Sequence, residues 1–148
     1  MVGYTQEADP DTTARAIGKE FPISPKFSRE VCRMVMGKKV DVALKMLGEV
    51  TELKRPVPIK RYNIGVAHKT GVGPGRFPVK AAKAIIKVIE SAKQNAEYKG
   101  LDAENMRVKV VAAHLGRTIP GYMPRAHGRS TQWNQQTVNI EVILEEMK

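Results

Sequence analysis

Residues 117–136, RTIPGYMPRAHGRSTQWNQQ, cannot build a hydrophobic core. Three arginines, a histidine, a tyrosine and a tryptophan sit there among Gly and Pro, with no carboxylate and almost no aliphatic side chain. Two β-patterned runs bracket the stretch, Arg107–Leu115 (RVKVVAAHL) and Thr137–Glu145 (TVNIEVILE). In the second, Val138, Ile140, Val142 and Leu144 alternate onto one face. Two strands joined by a long turn-rich segment predict an extended β-hairpin over residues 107–145. Its turn falls near Met123-Pro124 to Gly128 and its tip spans 121–129. Limbs of that length reach about 40–50 Å at roughly 3.3 Å per residue. A domain of this size is only about 30 Å across. The hairpin therefore has to leave the body, and something other than this chain has to cover its tip.

Charge narrows the choice of that partner. The 148 residues carry a net charge of +10. Residues 53–89 contain nine basic side chains and no acid: Lys54, Arg55, Lys60, Arg61, Lys69, Arg76, Lys80, Lys83 and Lys87. Residues 105–140 contain five more, again with no acid: Arg107, Lys109, Arg117, Arg125 and Arg129. The remainder holds 11 basic and 15 acidic residues, so the whole positive excess lies in two segments. Like charges concentrated in a small folded chain repel, and a polyanion offsets that repulsion.

The length suits one domain with a single core, residues 1–148, and an apolar content of 42% supports a folded body. Thr13–Glu20 reads as an edge-like strand. Ser24-Pro25 opens a helix with Phe27, Val31, Met34 and Val35 at helical spacing, closed by Gly37. A second helix starts near Lys39 with the stripe Val40, Ala43, Leu44, Leu47 and Val50, and Gly48 weakens its last turn. Residues 54–77, with three prolines and four glycines and no periodicity, read as a long basic loop insertion. Pro78 then opens the clearest helix, with Val79, Ala82, Ile85, Ile86, Ile89, Ala92 and Ala96 on one face, Lys80, Lys83 and Lys87 on another, and Gly100 as its stop. Residues 1–12 read as either disordered or bound to a neighbour. They lack the basic-then-apolar pattern of a signal peptide, and no run of about eighteen apolar residues predicts a membrane span.

Most catalytic chemistries lack their parts. GVGPGRF (71–77) is glycine-rich but has no Gly-Lys-Ser/Thr ending, and Arg76 stands where a dinucleotide fingerprint needs Gly. It does lead into a helix N-terminus, where a phosphate of a polymer is as welcome as one of a nucleotide. His68, His114 and His127 are scattered, and the lone Cys32 completes no zinc set, so neither metal nor cofactor is expected. The single Cys also forms no internal disulfide, which suits a reducing cytoplasm. Neither basic window has a carboxylate to orient a histidine or hold magnesium.

Arginine, tyrosine, tryptophan and histidine interleaved with Gly and Pro suit RNA. Guanidinium groups fork onto phosphates, and rings offer flat partners to unstacked bases. The expected RNA-binding residues are the nine basic side chains of the first window together with Arg117, Tyr122, Arg125, His127 and Arg129. Trp133 reads equally well as a packing residue of the hairpin. Two other classes remain open on the residues: an RNA-processing enzyme with His114 or His127 as its acid–base group, and a free-standing RNA chaperone.

The order of four segments narrows this further: SPKFSREVCRMVMGKKVDVALKML, AAKAIIKVIESAKQNAEYKGLD, RTIPGYMPRAHGRSTQ and a closing TVNIEVILEE. This order closely resembles the large-subunit ribosomal protein family numbered twenty-two in the bacterial and universal schemes and seventeen in the eukaryotic one. The resemblance covers about residues 14–146. It is carried most specifically by Ser24-Pro25-Lys26, by Ser91-Ala92 with Asn95-Ala96-Glu97, and by Pro124-Arg125-Ala126 with Gly128-Arg129. It implies an α+β fold in which three helices pack on a small antiparallel sheet with a long protruding β-hairpin. It implies a non-catalytic structural protein on the ribosome in the cytoplasm. Such a protein binds large-subunit rRNA during assembly and touches neighbouring ribosomal proteins. Its hairpin tip, here 121–129 with Arg125 and Arg129 at the matching basic positions, lines the exit tunnel of the nascent peptide. Bacterial members have a more basic tip where this chain has Gly121, Tyr122 and Met123. The insertion at 54–77 is similar to that of the archaeal and eukaryotic branch, and the chain length to an archaeal source. The reading of the insertion as an extra rRNA contact comes from its charge alone.

Overall fold

The structure, a computed structural model, describes residues 3–147. A short N-terminal segment leads into strand β1 (Thr13–Phe21), then helices α1 (Pro25–Val35) and α2 (Val40–Thr51). Three short strands follow, β2 (Val57–Pro58), β3 (His68–Lys69) and β4 (Gly73–Arg76), and then helix α3 (Val79–Tyr98). The chain closes with β5 (Met106–Ile119), β6 (Tyr122–Pro124), β7 (Ser130–Gln132) and β8 (Gln135–Glu146). The architecture is α+β, with three helices on an antiparallel sheet of order β1-β8-β5. The part of the N-terminal expectation that falls on residues 1 and 2 lies outside the described residues.

The core forms because each element presents an apolar face to the same layer. Val138, Ile140, Val142 and Leu144 of β8 are fully buried against the helices, as alternation requires. Ala14 and Ala16 of β1 lie opposite Leu144 and Val142 and extend that surface. From β5 come Met106, Val108 and Val111. Their spacing breaks from two to three because a bulge between Val108 and Val110 inserts one residue. Helix α3 lies between the sheet and α2, and it buries Ala81, Ala84 and Val88 as well as the expected Ala82, Ile85, Ile89, Ala92 and Ala96. Val79 and Ile86 are only half-buried, and the buried arc widens instead toward Ala81, Ala84 and Val88, as contact with both the sheet and α2 requires. Cys32 is buried, which pushes its thiol up to about 12, far from a working nucleophile.

Two helix ends differ in detail from their sequence signatures. Ser24 precedes α1 but its hydroxyl caps nothing; its carbonyl instead accepts from the backbone N–H and the hydroxyl of Ser28. Pro78 is the cap of α3 and not its first helical residue. Gly37 and Gly100 both turn the chain in the left-handed region, at φ of 77° and 76°.

Central strand β8 is buried on both faces, which simple alternation did not predict. Thr137, Asn139, Glu141 and Ile143 are also buried, on the face away from the helices. Part of the cover is the N-terminal segment. The backbone N–H of Thr5 donates to Glu141 at 2.9 Å, and its hydroxyl donates to the other carboxylate oxygen. Arg15 lies over the ring of Tyr4, 5.0 Å from its centroid. The Asn139 side chain accepts from the Glu20 backbone N–H at 2.8 Å, where β1 leaves its ladder.

At Gly18 the sheet comes close to helix α3. A Cβ there would lie 2.7 Å from a methyl of Val88 and 2.2 Å from the Phe21 ring. The ring can swing aside, but Val88 is short and buried in α3. Gly18→Ala is therefore expected to cost about 1–3 kcal/mol, as overpacking does, and a urea melt of the variant measures it.

Residues 54–77 are more ordered than a plain loop. β2 and β3 both pair with β4, making a second small sheet of order β2-β4-β3. The glycine-rich GVGPGRF segment is therefore largely a strand. Val57 and Ile59 anchor the insertion in the core, at 0% and 4% exposure. Glu30 of α1, itself buried, accepts from the Lys60 backbone N–H at 3.4 Å. The alternation Val57-Pro58-Ile59 was the available signal, hidden by the prolines on either side.

Candidate nucleic-acid interface

Beyond the body, β5 and β8 continue as a two-stranded arm. Leu115 pairs with Val138 at its root, and a second bulge follows before Thr118 pairs with Gln136. From there the register runs unbroken to the tip: Ile119 opposite Gln135, Tyr122 opposite Gln132, Pro124 opposite Ser130. The chain reverses over Ala126–Gly128, where His127 is left-handed at φ 59°. From Leu115 to Arg125 the arm extends about 33 Å at a strand rise of about 3.3 Å per residue. Ladder hydrogen bonds give it shape, but almost none of its side chains is covered: Leu115, Ile119, Tyr122 and Trp133 are all exposed.

The register sorts the arm into two faces. The Arg125 backbone N–H donates to the Arg129 carbonyl at 2.8 Å, so these two arginines stand directly across the ribbon from each other. Alternation puts them on one face with Thr131 and Trp133, and Tyr122 on the other. The Arg125 guanidinium donates to the Thr131 hydroxyl at 3.1 Å. Trp133 is exposed and outside the core; its backbone N–H donates to the Gly121 carbonyl at 2.7 Å. Gly121 is required there, since a Cβ would sit 2.7 Å from the Trp133 carbonyl oxygen. Like charges directly opposite on a ribbon destabilise it unless an anion lies between them. Arg117, Arg125 and Arg129 have no ion-pair partner among the described residues.

Not every base in the two windows is equally free. Lys54 pairs with Glu52 at 2.6 Å and Arg55 with Glu49, carboxylates of the α2 end that lie just outside the window in sequence. The Arg55 hydrogen bond holds the Glu49 carboxyl below its usual range, and the Glu52 hydrogen bond raises Lys54. Arg107 and Lys109 both bind Glu145, at 2.6 Å each, and pull its carboxyl down. These four serve the body first. Lys60, Arg61, Lys69, Arg76, Lys80, Lys83 and Lys87 are exposed and have no acidic partner among the described residues. Lys80, Lys83 and Lys87 lie on one face of α3, as their spacing dictates, and Arg76 at the end of β4 precedes them.

Aromatic rings accompany these cations, and sequence reasoning missed them. Tyr62 lies between Lys26 and Arg61, at 4.8 and 5.3 Å from its centroid. Arg76 sits over Phe27 and Lys69 over Phe77, each at 5.7 Å. Phe27 was expected in the α1 core stripe but is only half-buried. The pairs Arg61-Tyr62 and Arg76-Phe77 were the visible hint.

The expectation that no carboxylate orients a histidine is corrected. Glu141, one residue past the acid-free window, lies 3.1 Å from Nε2 of His114. The two are diagonal neighbours on adjacent strands, His114 standing opposite Asn139 and Glu141 opposite Ala112, a cross-strand proximity that sequence distance conceals. Glu141 is already engaged by Thr5, and the contact fastens the N-terminal segment at the root of the arm. No group of three metal-ligating side chains occurs among the described residues, and no described helix is long and apolar enough to cross a membrane.

A family model described as ribosomal protein L22p/L17e matches residues 16–145. The chain belongs to that family. Proteins named large ribosomal subunit protein uL22 align along nearly its whole length. The protein of Methanocaldococcus jannaschii is 49% identical over 97% of this chain and 94% of its own. That of Methanothrix thermoacetophila is 52% identical over 91% of each chain, and that of Thermofilum pendens 43% over 98% and 97%. These relatives are archaeal, and the chain is of the archaeal type of L22p/L17e protein. The chain is thus a structural constituent of the large ribosomal subunit and not an enzyme, and its place is the ribosome. In this chain the His114–Glu141 contact links β5 to β8, and Thr5 joins the N-terminal segment to the same carboxylate.

Proposed function

We propose that this L22p/L17e protein binds large-subunit rRNA through two separate surfaces, the arm and the insertion with α3. The arm threads between RNA helices and fixes their relative placement during assembly, and its tip over 121–129 forms part of the wall of the exit tunnel. The observation that carries this is the facing pair Arg125 and Arg129 on an otherwise uncovered ribbon. Two arginines paired across the ribbon offer their guanidinium groups to phosphate from one face, and the neutralised phosphates release counterions on binding. The exposed rings of Tyr122 on one face and Trp133 on the other suit unstacked bases. On the second surface, Lys60, Arg61, Lys69, Arg76, Lys80, Lys83 and Lys87 contact phosphates, and Lys54 and Arg55 contribute less because Glu52 and Glu49 hold them. Neighbouring ribosomal proteins and the nascent peptide are the remaining partners, in the cytoplasm.

Sedimentation of native ribosomes tests the integral placement. The protein is expected to stay with the large subunit in a high-salt gradient, and release into the top fractions would favour a free-standing RNA chaperone. A photoreactive group at Tyr122 is expected to cross-link to a stalled nascent chain. Cross-links to rRNA alone would remove the tunnel-wall role.

The arm's own order is modest. A two-stranded ribbon without a packed face is marginal in water. Amides of residues 121–132 are therefore expected to exchange orders of magnitude faster than those of 138–144 in the RNA-free protein, by hydrogen-exchange mass spectrometry. Equal protection of the two segments would contradict an arm that depends on its partner for rigidity.

A further inference from the structure

The insertion, the start of α1 and the start of α3 enclose two adjoining clefts of about 450 and 480 Å³. Both are lined by Phe27, Phe77 and Pro78. Lys69 and Arg76 line one of them and Lys80 the other. Each has the size of a small-ligand site, roughly 300–1,000 Å³. The two phenylalanines are half-buried, held in place yet open on one side, and each is covered by a cation 5.7 Å from its centroid. That distance lies at the loose end of the cation–π range, about 6 Å, so the cover is weak. The cations themselves are exposed and have no carboxylate partner among the described residues.

We propose that this double cleft holds an unstacked nucleotide of the large-subunit rRNA, its base against Phe27 or Phe77 and its flanking phosphates on Lys69, Arg76 and Lys80. The inference rests on the rRNA-binding reading and adds the form of RNA that the insertion takes. Cations alone would suit any phosphate, including those of a regular duplex. A duplex keeps its base faces stacked inside and cannot use an apolar cleft, whereas a splayed-out base can. On binding, the base displaces the cation over the ring it stacks on, Arg76 from Phe27 or Lys69 from Phe77. The freed cation swings onto a flanking phosphate, which the other cation also borders. A half-exposed aromatic floor under an uncompensated cationic rim fits that ligand in both its parts.

The test uses the full chain and a transcript of the large-subunit rRNA of its source. In the unmodified protein, ultraviolet irradiation of the complex is expected to give peptide–nucleotide cross-links at Phe27 or Phe77. The pair Phe27→Leu with Phe77→Leu is expected to bind about tenfold more weakly, the loss of about one stacked base. Its salt dependence should be unchanged, because no charge is removed. Phe27→Tyr with Phe77→Tyr, which keeps both rings, should restore the affinity and serves as the control for folding. Lys69→Gln with Arg76→Gln and Lys80→Gln should show the opposite signature, a shallower salt slope. Normal rRNA binding by the unmodified protein, with no cross-link at either ring and no change in the leucine pair, would overturn the inference while leaving the rRNA-binding reading intact. A leucine pair that binds RNA normally but fails to enter subunits would assign the cleft to a protein neighbour and also overturn it. No rRNA affinity in the unmodified protein would sink both readings.

Discussion

Replacing Arg125 and Arg129 together by alanine is expected to weaken rRNA binding by about 25- to 60-fold at 0.1 M salt while the body stays folded. The size follows from counterion release. Each phosphate contact contributes about 0.7–0.9 to the slope of log affinity against log salt, so losing two removes about 1.4–1.8 from that slope. At 0.1 M salt the same figure is the loss in log affinity. Folding is untouched because both side chains are exposed and neither touches the core. Removing one of two facing like charges relieves a small repulsion in the free ribbon, so thermal stability stays level or rises slightly. Filter binding across a salt series reads both quantities. Unchanged affinity together with an unchanged slope would show that the tip is no RNA contact.

The opposite signature is expected from Ile85→Ala. Ile85 is fully buried in α3, at the layer where the sheet and α2 meet that helix. Truncation leaves a cavity between elements fixed on both sides, which costs about 2–5 kcal/mol. For a chain of this size that lowers the melting temperature by about 5–15 °C. Well below the melting point, the RNA affinity and salt slope are expected to match those of the unmodified protein, because no contacting side chain has changed. A calorimetric scan and the same filter assay check the two halves of the statement. The arginine pair and the isoleucine thus separate binding from folding, and a variant that moves both readouts together would argue against two independent regions.

How much of this was legible beforehand depended on which physical signal each residue carries. Helix α3 was plain, since apolar residues recur at helical spacing between Pro78 and Gly100. The projecting arm followed from what residues 117–136 lack. Its two faces did not, because the second bulge before Thr118 shifts the register by a residue that composition does not reveal. The insertion was misjudged as irregular, because Pro56 and Pro58 mask the buried Val57 and Ile59. The basic site was legible as charge but not as geometry. Glu49 and Glu52, which hold Arg55 and Lys54, are near in sequence and went unread because they stand just outside the acid-free window, whereas that Glu141 reaches His114 depends on how β8 pairs with β5. The aromatic floor of the insertion was hidden for the same reason, since Phe27 and Phe77 are fifty residues apart and each alone reads as an ordinary core residue.

The constant register from Thr118 to the tip sets a parity rule for the arm. Side chains alternate between its faces, so one residue added to or lost from a single limb turns the rest of that limb to the other side while the facing limb keeps its own. After such a change near residue 120, Tyr122 and Arg125 would swap faces, Arg129 and Trp133 would stay, and the two arginines would no longer face each other. Relatives of different arm length should therefore differ by matched steps on both limbs, or carry a compensating bulge like those already present in β5. An odd, one-sided insertion near residue 120 should be far more harmful to ribosome assembly than a symmetric one that adds twice as many residues.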